Sequence, residues 1–165
     1  DPRLAVLEAL RAGAEADADG RTADALLHHE RAVEVATSRL PGTILEANAL
    51  DGLAFHHLTS GDPRSAVPLY DRSLELYRGL LAGDQPRVAT TLHNLAVAES
   101  RAGRPDEARR HALAALEIWS RLPDERTAGA ADTMQLLANL ARRAGDPGEA
   151  EAFDRRARDA RTAGS

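Results

Sequence analysis

Thr91-Leu92-His93-Asn94-Leu95-Ala96-Val97-Ala98-Glu99-Ser100-Arg101-Ala102-Gly103-Arg104-Pro105-Asp106-Glu107-Ala108 is the stretch on which the reading of the fold turns. Leu92 and Leu95 stand three residues apart, the spacing of one helical face. Ala96 next to them is small enough for a second helix to come close. Gly103 is a stop, because a left-handed residue after a helix is cheap only for glycine. Pro105 then suits the first turn of a new helix, and Asp106 and Glu107 suit its dipole.

The same pattern recurs along the chain. Gly61, Gly103 and Gly145 are 42 residues apart, and Gly20 lies 41 before Gly61. Leu50, Leu92 and Met134 form one column, and Leu53, Leu95 and Leu137 the next. Ala54, Ala96 and Ala138 follow, with Gly13 in the first copy. Ala25, Ala66, Ala108 and Ala150 make a further column, as do Ala32, Ser73, Ala115 and Ala157. Several columns in one register identify an internal repeat. Asp62 and Asp146 are placed to cap the helices that Pro63 and Pro147 begin.

Helices are expected at about 4–18, 22–38, 44–59, 63–79, 86–101, 105–120, 127–143 and 147–161. That makes an all-α chain of about eight helices in four pairs, with repeats at about 4–40, 44–82, 86–122 and 127–161 in one domain. Leu40-Pro41-Gly42, Ala82-Gly83-Asp84-Gln85-Pro86 and Pro123-Asp124-Glu125 are the expected connections, and Thr162–Ser165 a polar tail.

Composition agrees with helices packed closely. The 165 residues are 43% hydrophobic but only 3% aromatic, so Leu, Ala and Val must fill the core. A sandwich or barrel favours β-branched and aromatic residues instead. All 21 basic residues are Arg, which with the Ala and Gly bias suggests a GC-rich bacterial genome. The net charge of −5 and the lack of a basic block argue against nucleic acid as a partner. No apolar run reaches the ~20 residues of a membrane span, so no membrane association is expected. The chain has no Cys, which removes disulfides and thiolate chemistry and fits a cytoplasmic protein.

Leu92, Leu95, Ala96, Gly103, Ala108 and Ala115 follow the order of small and large positions in the tetratricopeptide repeat. The chain resembles that family, and the 42-residue step with Thr91–Ala96 resembles its kinesin-light-chain type. The aromatic common in the second helix is met by Tyr70, whereas His29, Ala112 and Asp154 stand in its place elsewhere. Ala9 and Ala12 are smaller than usual, and the Arg- and Asp-rich final helix reads as a polar cap.

The resemblance implies a right-handed α-solenoid whose first helices line a concave surface that holds a peptide. By position, that surface carries Asn48, Asp51, Phe55, Leu58 and Thr59 in the second repeat. Thr90, His93, Asn94, Val97 and Arg101 belong to the third, and Asp132, Gln135, Asn139, Arg142 and Arg143 to the fourth. The Asn and Gln amides both donate and accept, which suits a peptide backbone, and family members use an Asn at the place of Asn94 in this way. Phe55, Leu58 and Val97 offer an apolar floor, although Phe55 and Leu58 are also placed to pack on a neighbouring repeat. The arginines suit a carboxylate.

Catalysis finds little support. No glycine-rich phosphate loop or G-x-S-x-G elbow is present. No Ser or Thr has a credible His base beside it. His28-His29 and His56-His57 are adjacent pairs, and neighbours on a helix point about 100° apart, so neither pair can share an ion. His57 falls near the buried side by column. No metal, no cofactor and no catalytic residue are expected. The expected function is therefore a non-catalytic scaffold for a protein or peptide, as the sensor or regulatory part of a larger bacterial protein. One alternative is self-assembly as a homodimer through Leu4, Leu7 and Leu10 of the first helix. Another is positioning a substrate peptide for an enzyme.

Overall fold

A computed structural model describes residues 1–82, 85–122 and 127–163. The expected connecting residues Gly83, Asp84 and Pro123–Glu125, and the tail residues Gly164 and Ser165, lie outside these. Among the described residues there are eight helices and no strand. They are α1 (Pro2–Ala18), α2 (Thr22–Arg39), α3 (Ile44–Thr59), α4 (Pro63–Leu80), α5 (Pro86–Arg101), α6 (Pro105–Ser120), α7 (Thr127–Arg143) and α8 (Pro147–Ala163). The sequence places every one of them to within about two residues. The final helix continues two residues past its expected end, where the Thr162 hydroxyl donates back to the Asp159 carbonyl.

The helices fall into two compact units, Asp1–Leu81 and Ala82–Ser165. In the first unit α1 packs on α2, α3 on α4, and α3 also on α1 and α2. The second unit repeats the arrangement with α5 to α8.

Each first helix ends in the same way. Gly20, Gly61, Gly103 and Gly145 have φ of 71°, 88°, 82° and 81°. The next residue sends its N–H back to a carbonyl five residues earlier. These bonds are Arg21 to Ala16 (2.8 Å), Asp62 to His57 (2.8 Å), Arg104 to Glu99 (2.8 Å) and Asp146 to Ala141 (3.0 Å). This is the Schellman closure, which satisfies a helix-end carbonyl that the helix cannot. The next helix opens at once. Asp62 Oδ1 accepts from the Ser65 N–H at 3.2 Å, and Asp146 Oδ1 from the Glu149 N–H at 2.9 Å.

The small columns are buried where helices meet. Ala25, Ala32, Ala54, Ala66, Ala96, Ala108, Ala115, Ala138 and Ala157 are fully inaccessible, and so are Leu92, Leu95 and Leu137. In the first unit Val6, Ala9, Ala32, Ala36 and Ala49 form one apolar cluster. In the second, Ala96, Ala108, Ala112, Leu116, Leu137 and Phe153 belong to another. Buried polar residues tie some of these helices together. The Ser73 hydroxyl donates to the Ala47 carbonyl at 2.9 Å, and His111 Nδ1 meets the buried Glu99 carboxylate at 2.7 Å.

Substitution at the turns tests this account. Gly61→Ala forces a side chain into the left-handed region and should cost about 1–2 kcal/mol. Gly79→Ala, at a helical glycine with open space around it, should instead stabilise by about 0.5 kcal/mol. Leu95→Asp places a charge at a fully buried position and should abolish cooperative unfolding. Urea melts followed by circular dichroism read all three.

Candidate functional site

In the second unit, α5 and α7 enclose a groove of about 390 Å³. His93, Val97, Ser100 and Arg101 line it from α5, at steps of four, three and one. Asp132, Gln135, Leu136, Asn139 and Arg143 line it from α7, again as one helical stripe. The expected His93, Val97, Arg101, Asp132, Gln135, Asn139 and Arg143 are therefore brought together.

Ser100 and Leu136 were not expected there. Both lie on the same stripes, three residues after Val97 and four after Asp132, so extending the helical step would have found them. Thr90 is exposed and returns its hydroxyl to the Pro86 carbonyl at 3.0 Å. Asn94 is half-buried and does not line the groove. Arg142 is turned about 100° from Arg143. It reaches α8, where it pairs with the Asp154 carboxylate, and it also donates to Asn139 Oδ1 at 2.8 Å.

The groove has a polarity. Arg101 and Arg143 are the last residues of α5 and α7, where helix C-termini favour positive charge. Arg143 Nη1 lies 3.3 Å from Ser100 Oγ, so the two helices are bridged at this end by a charged donor and a neutral hydroxyl. Asp132 sits towards the other end, with Arg161 Nη2 at 3.2 Å. Between them Gln135 Nε2 donates to Asp154 Oδ1 at 2.9 Å, leaving its carbonyl oxygen as an acceptor.

His93 is held in one tautomer. Thr133 Oγ1 donates to the Gly129 carbonyl at 2.7 Å and so must accept from His93 Nδ1, 3.0 Å away. The ring then carries its proton on Nδ1 and presents Nε2 as an acceptor. Burial pushes the His93 pKa below its ordinary 6.5, and the Asp132 charge only partly opposes this.

The residues expected in the first unit separate. Asn48 Oδ1 accepts from the Tyr77 hydroxyl at 2.8 Å, so this amide ties α3 to α4. Phe55 is 47% exposed and Asp51 half-buried. Thr59 is exposed and returns its hydroxyl to the Phe55 carbonyl at 2.9 Å. Leu58 is only 4% exposed and belongs to the packed interior, not to an accessible floor.

Histidines supply the other cluster of polar groups. The adjacent pairs do point apart, but one member of each turns inward. His56, not His57, is the buried one of its pair, at 2% exposure, and His29 is buried at 4%. Both meet Asp17 near the end of α1. His29 Nε2 lies 2.9 Å from Asp17 Oδ2, and His56 Nδ1 lies 2.7 Å from Asp17 Oδ1. Burial pushes the Asp17 carboxyl up, but the hydrogen bonds from His29 and His56 outweigh it and hold the group below its ordinary value.

The neutral His93 gives a pH dependence of definite sign. The unfolded chain takes up this proton near 6.5 and the folded chain only below that. The contribution of the neutral ring to stability is full above 6.5 and is lost as the pH falls below it. NMR titration should place the His93 midpoint below 6.5, and Asp132→Asn should lower it further. His93→Gln should shrink the loss of stability between about pH 7.5 and about pH 5.5.

Comparison with known proteins bears on the fold. The tetratricopeptide repeat model matches residues 3–79, 45–118 and 87–163. The Photosystem I assembly protein Ycf3 of Synechococcus elongatus is 29% identical over 117 residues, which are 67% of this chain and 61% of that protein. The crystal structure of BtubC (BKLC) from P. vanneervenii is 25% identical, with a TM-score of 0.91 over 99% of this chain and 65% of that one. This chain thus spans under two thirds of the length of both. Kinesin-light-chain-type, TPR-like repeats from Podosopora anserina superpose with a TM-score of 0.78 at 18% identity, over 94% of this chain and 74% of that one. The chain belongs to the tetratricopeptide repeat family.

Proposed function

We propose that the chain is a non-catalytic protein-binding scaffold and that the α5–α7 groove holds a peptide segment of its partner. The observation that carries this is the lining of the groove. Seven residues expected from sequence to face a peptide converge on one concavity there. Amides of Gln135 and Asn139 and the acceptor nitrogen of His93 suit a peptide backbone. Val97 and Leu136 supply apolar surface. Arg101 and Arg143 at one end and Asp132 at the other favour a segment whose acidic group lies beside the two arginines.

Family membership supports a scaffold, since these repeats are typical of protein–protein interaction. The Ycf3 relative is named as an assembly protein, and by analogy this chain holds other proteins together. No helix among the described residues is long and apolar enough to cross a membrane. The reading completes with a cytoplasmic, bacterial protein whose four repeats act as one domain.

Peptides selected from a random display library should share an acidic residue or a free carboxyl terminus. Asn139→Ala with Arg143→Glu should weaken them at least about tenfold by fluorescence anisotropy. Melting should hardly move, because exposed substitutions are usually within about 0.5 kcal/mol. Asn94→Ala should have a smaller effect than either change. Undiminished binding by the double variant removes the groove as the site.

A second reading is homodimerisation through the first unit. Leu4 and Leu7 on α1 are 55% and 51% exposed, three residues apart on one face, and Leu27 on α2 is also exposed. Leu10, expected to share that surface, is half-buried and packs on the core. Light scattering should then report a dimer that Leu4→Asp with Leu7→Asp converts to a monomer. A monomeric parent chain removes this reading.

A further inference from the structure

We propose that Asp17, His29 and His56 form a binding site for a divalent transition-metal ion of the zinc class. One ligand comes from each of α1, α2 and α3, and their donor atoms all lie within 4.8 Å of one another. Two imidazole nitrogens and a carboxylate suit zinc and its neighbours, which accept nitrogen donors, and not calcium or magnesium. Ligand atoms around a tetrahedral zinc stand about 3.4 Å apart. The histidines now approach the two different oxygens of Asp17 at 2.7 and 2.9 Å, so these separations open by about 0.5–0.7 Å as one carboxylate oxygen and the two ring nitrogens, all within 4.8 Å, settle around the ion.

The interior is shaped around His29. A Cβ on Gly13 would stand 2.8 Å from His29 Cε1, and one on Gly52 would stand 3.3 Å from His29 Nδ1. Two helix-interior glycines, each unfavourable in a helix, thus make room for one imidazole. The column that holds His29 holds the buried Tyr70 in α4, so an aromatic ring without a metal-binding nitrogen fits that place in this fold. His29 Nδ1 is buried without a hydrogen-bond partner, so no acceptor or donor there fixes the tautomer and Nδ1 is available to take the proton that an ion at Nε2 displaces.

The protons balance within the rings. His29 frees Nε2 by moving its proton to Nδ1. His56 frees Nδ1 by moving its proton to Nε2, which faces Ser60 Oγ at 3.4 Å. Asp17, one quarter exposed at its side chain, supplies an ionised oxygen and leaves an edge of the site open to water as a fourth ligand.

Zinc chloride titrated into the full chain should bind with one equivalent in calorimetry and raise the melting temperature. Cobalt chloride should give the visible bands of a tetrahedral ion. His56→Gln and Asp17→Asn should each weaken zinc binding more than about tenfold, since outer-sphere changes alone cost that much. His28→Gln and His57→Gln, which alter the neighbouring histidines, should leave it unchanged. Nitrogen NMR of the parent chain reads the site without any variant: zinc should move the His29 proton to Nδ1 and the His56 proton to Nε2. Absent binding, binding that survives His56→Gln and Asp17→Asn, or loss in His28→Gln or His57→Gln overturns the proposal. So do unshifted His29 and His56 nitrogens, even if the ligand variants fail to fold.

Discussion

A glycine in the left-handed region after each first helix is the constraint on which the rest depends. With φ between 71° and 88° at Gly20, Gly61, Gly103 and Gly145, the chain reverses within a few residues and the second helix packs straight back on the first. Without that reversal the alanine columns would have nothing to meet. With it, Ala54 and Ala66, or Ala96 and Ala108, are buried to zero exposure. The core then needs few aromatics, because close backbone approach replaces side-chain bulk. Many small contacts, each worth only about 0.1–0.2 kcal/mol, add up when the interior is dense.

This reliance on local rules explains why the fold was legible in the sequence. A glycine, a capping aspartate and a first-turn proline act within four residues of one another. Gly61-Asp62-Pro63 and Gly145-Asp146-Pro147 thus fixed helix ends without knowledge of any partner helix. The groove was legible in part for a related reason. Helical phase alone puts His93 with Val97, and Gln135 with Asn139. It failed at Arg142, one residue and about 100° from the groove-lining Arg143, where the nearby Asp154 decided the direction. It failed also at Leu58, whose burial depends on what packs over that turn of α3.

The histidine cluster lay beyond reach for a deeper reason. Helical phase alone sets the two rings of each adjacent pair about 100° apart, and it says nothing of rings on different helices. What brings His29, His56 and Asp17 together is which turn of α1 faces which turn of α2 and α3. That depends on packing depth, set here by Gly13 and Gly52, and a column of small residues cannot by itself reveal what it was kept small to admit. His56 and His57 illustrate the same limit, since a one-residue change in the inner face exchanges the buried ring for the half-buried one.

Which arginines can recognise a ligand follows from what they already hold. Arg142 has the Asp154 carboxylate as its partner. A ligand carboxylate offered to it would replace one charged acceptor with another, for little net gain. Arg109 is likewise committed, with two bonds of 2.8 and 2.5 Å to Glu149. Arg143 differs, because the partner it shows across the groove is the neutral Ser100 hydroxyl at 3.3 Å. A carboxylate brings an opposite charge and can take two parallel N–H bonds from one guanidinium, so an incoming carboxylate improves on that hydroxyl. Arg143 therefore gains more from a ligand carboxylate than Arg142 or Arg109 would, and it stands at the groove's edge.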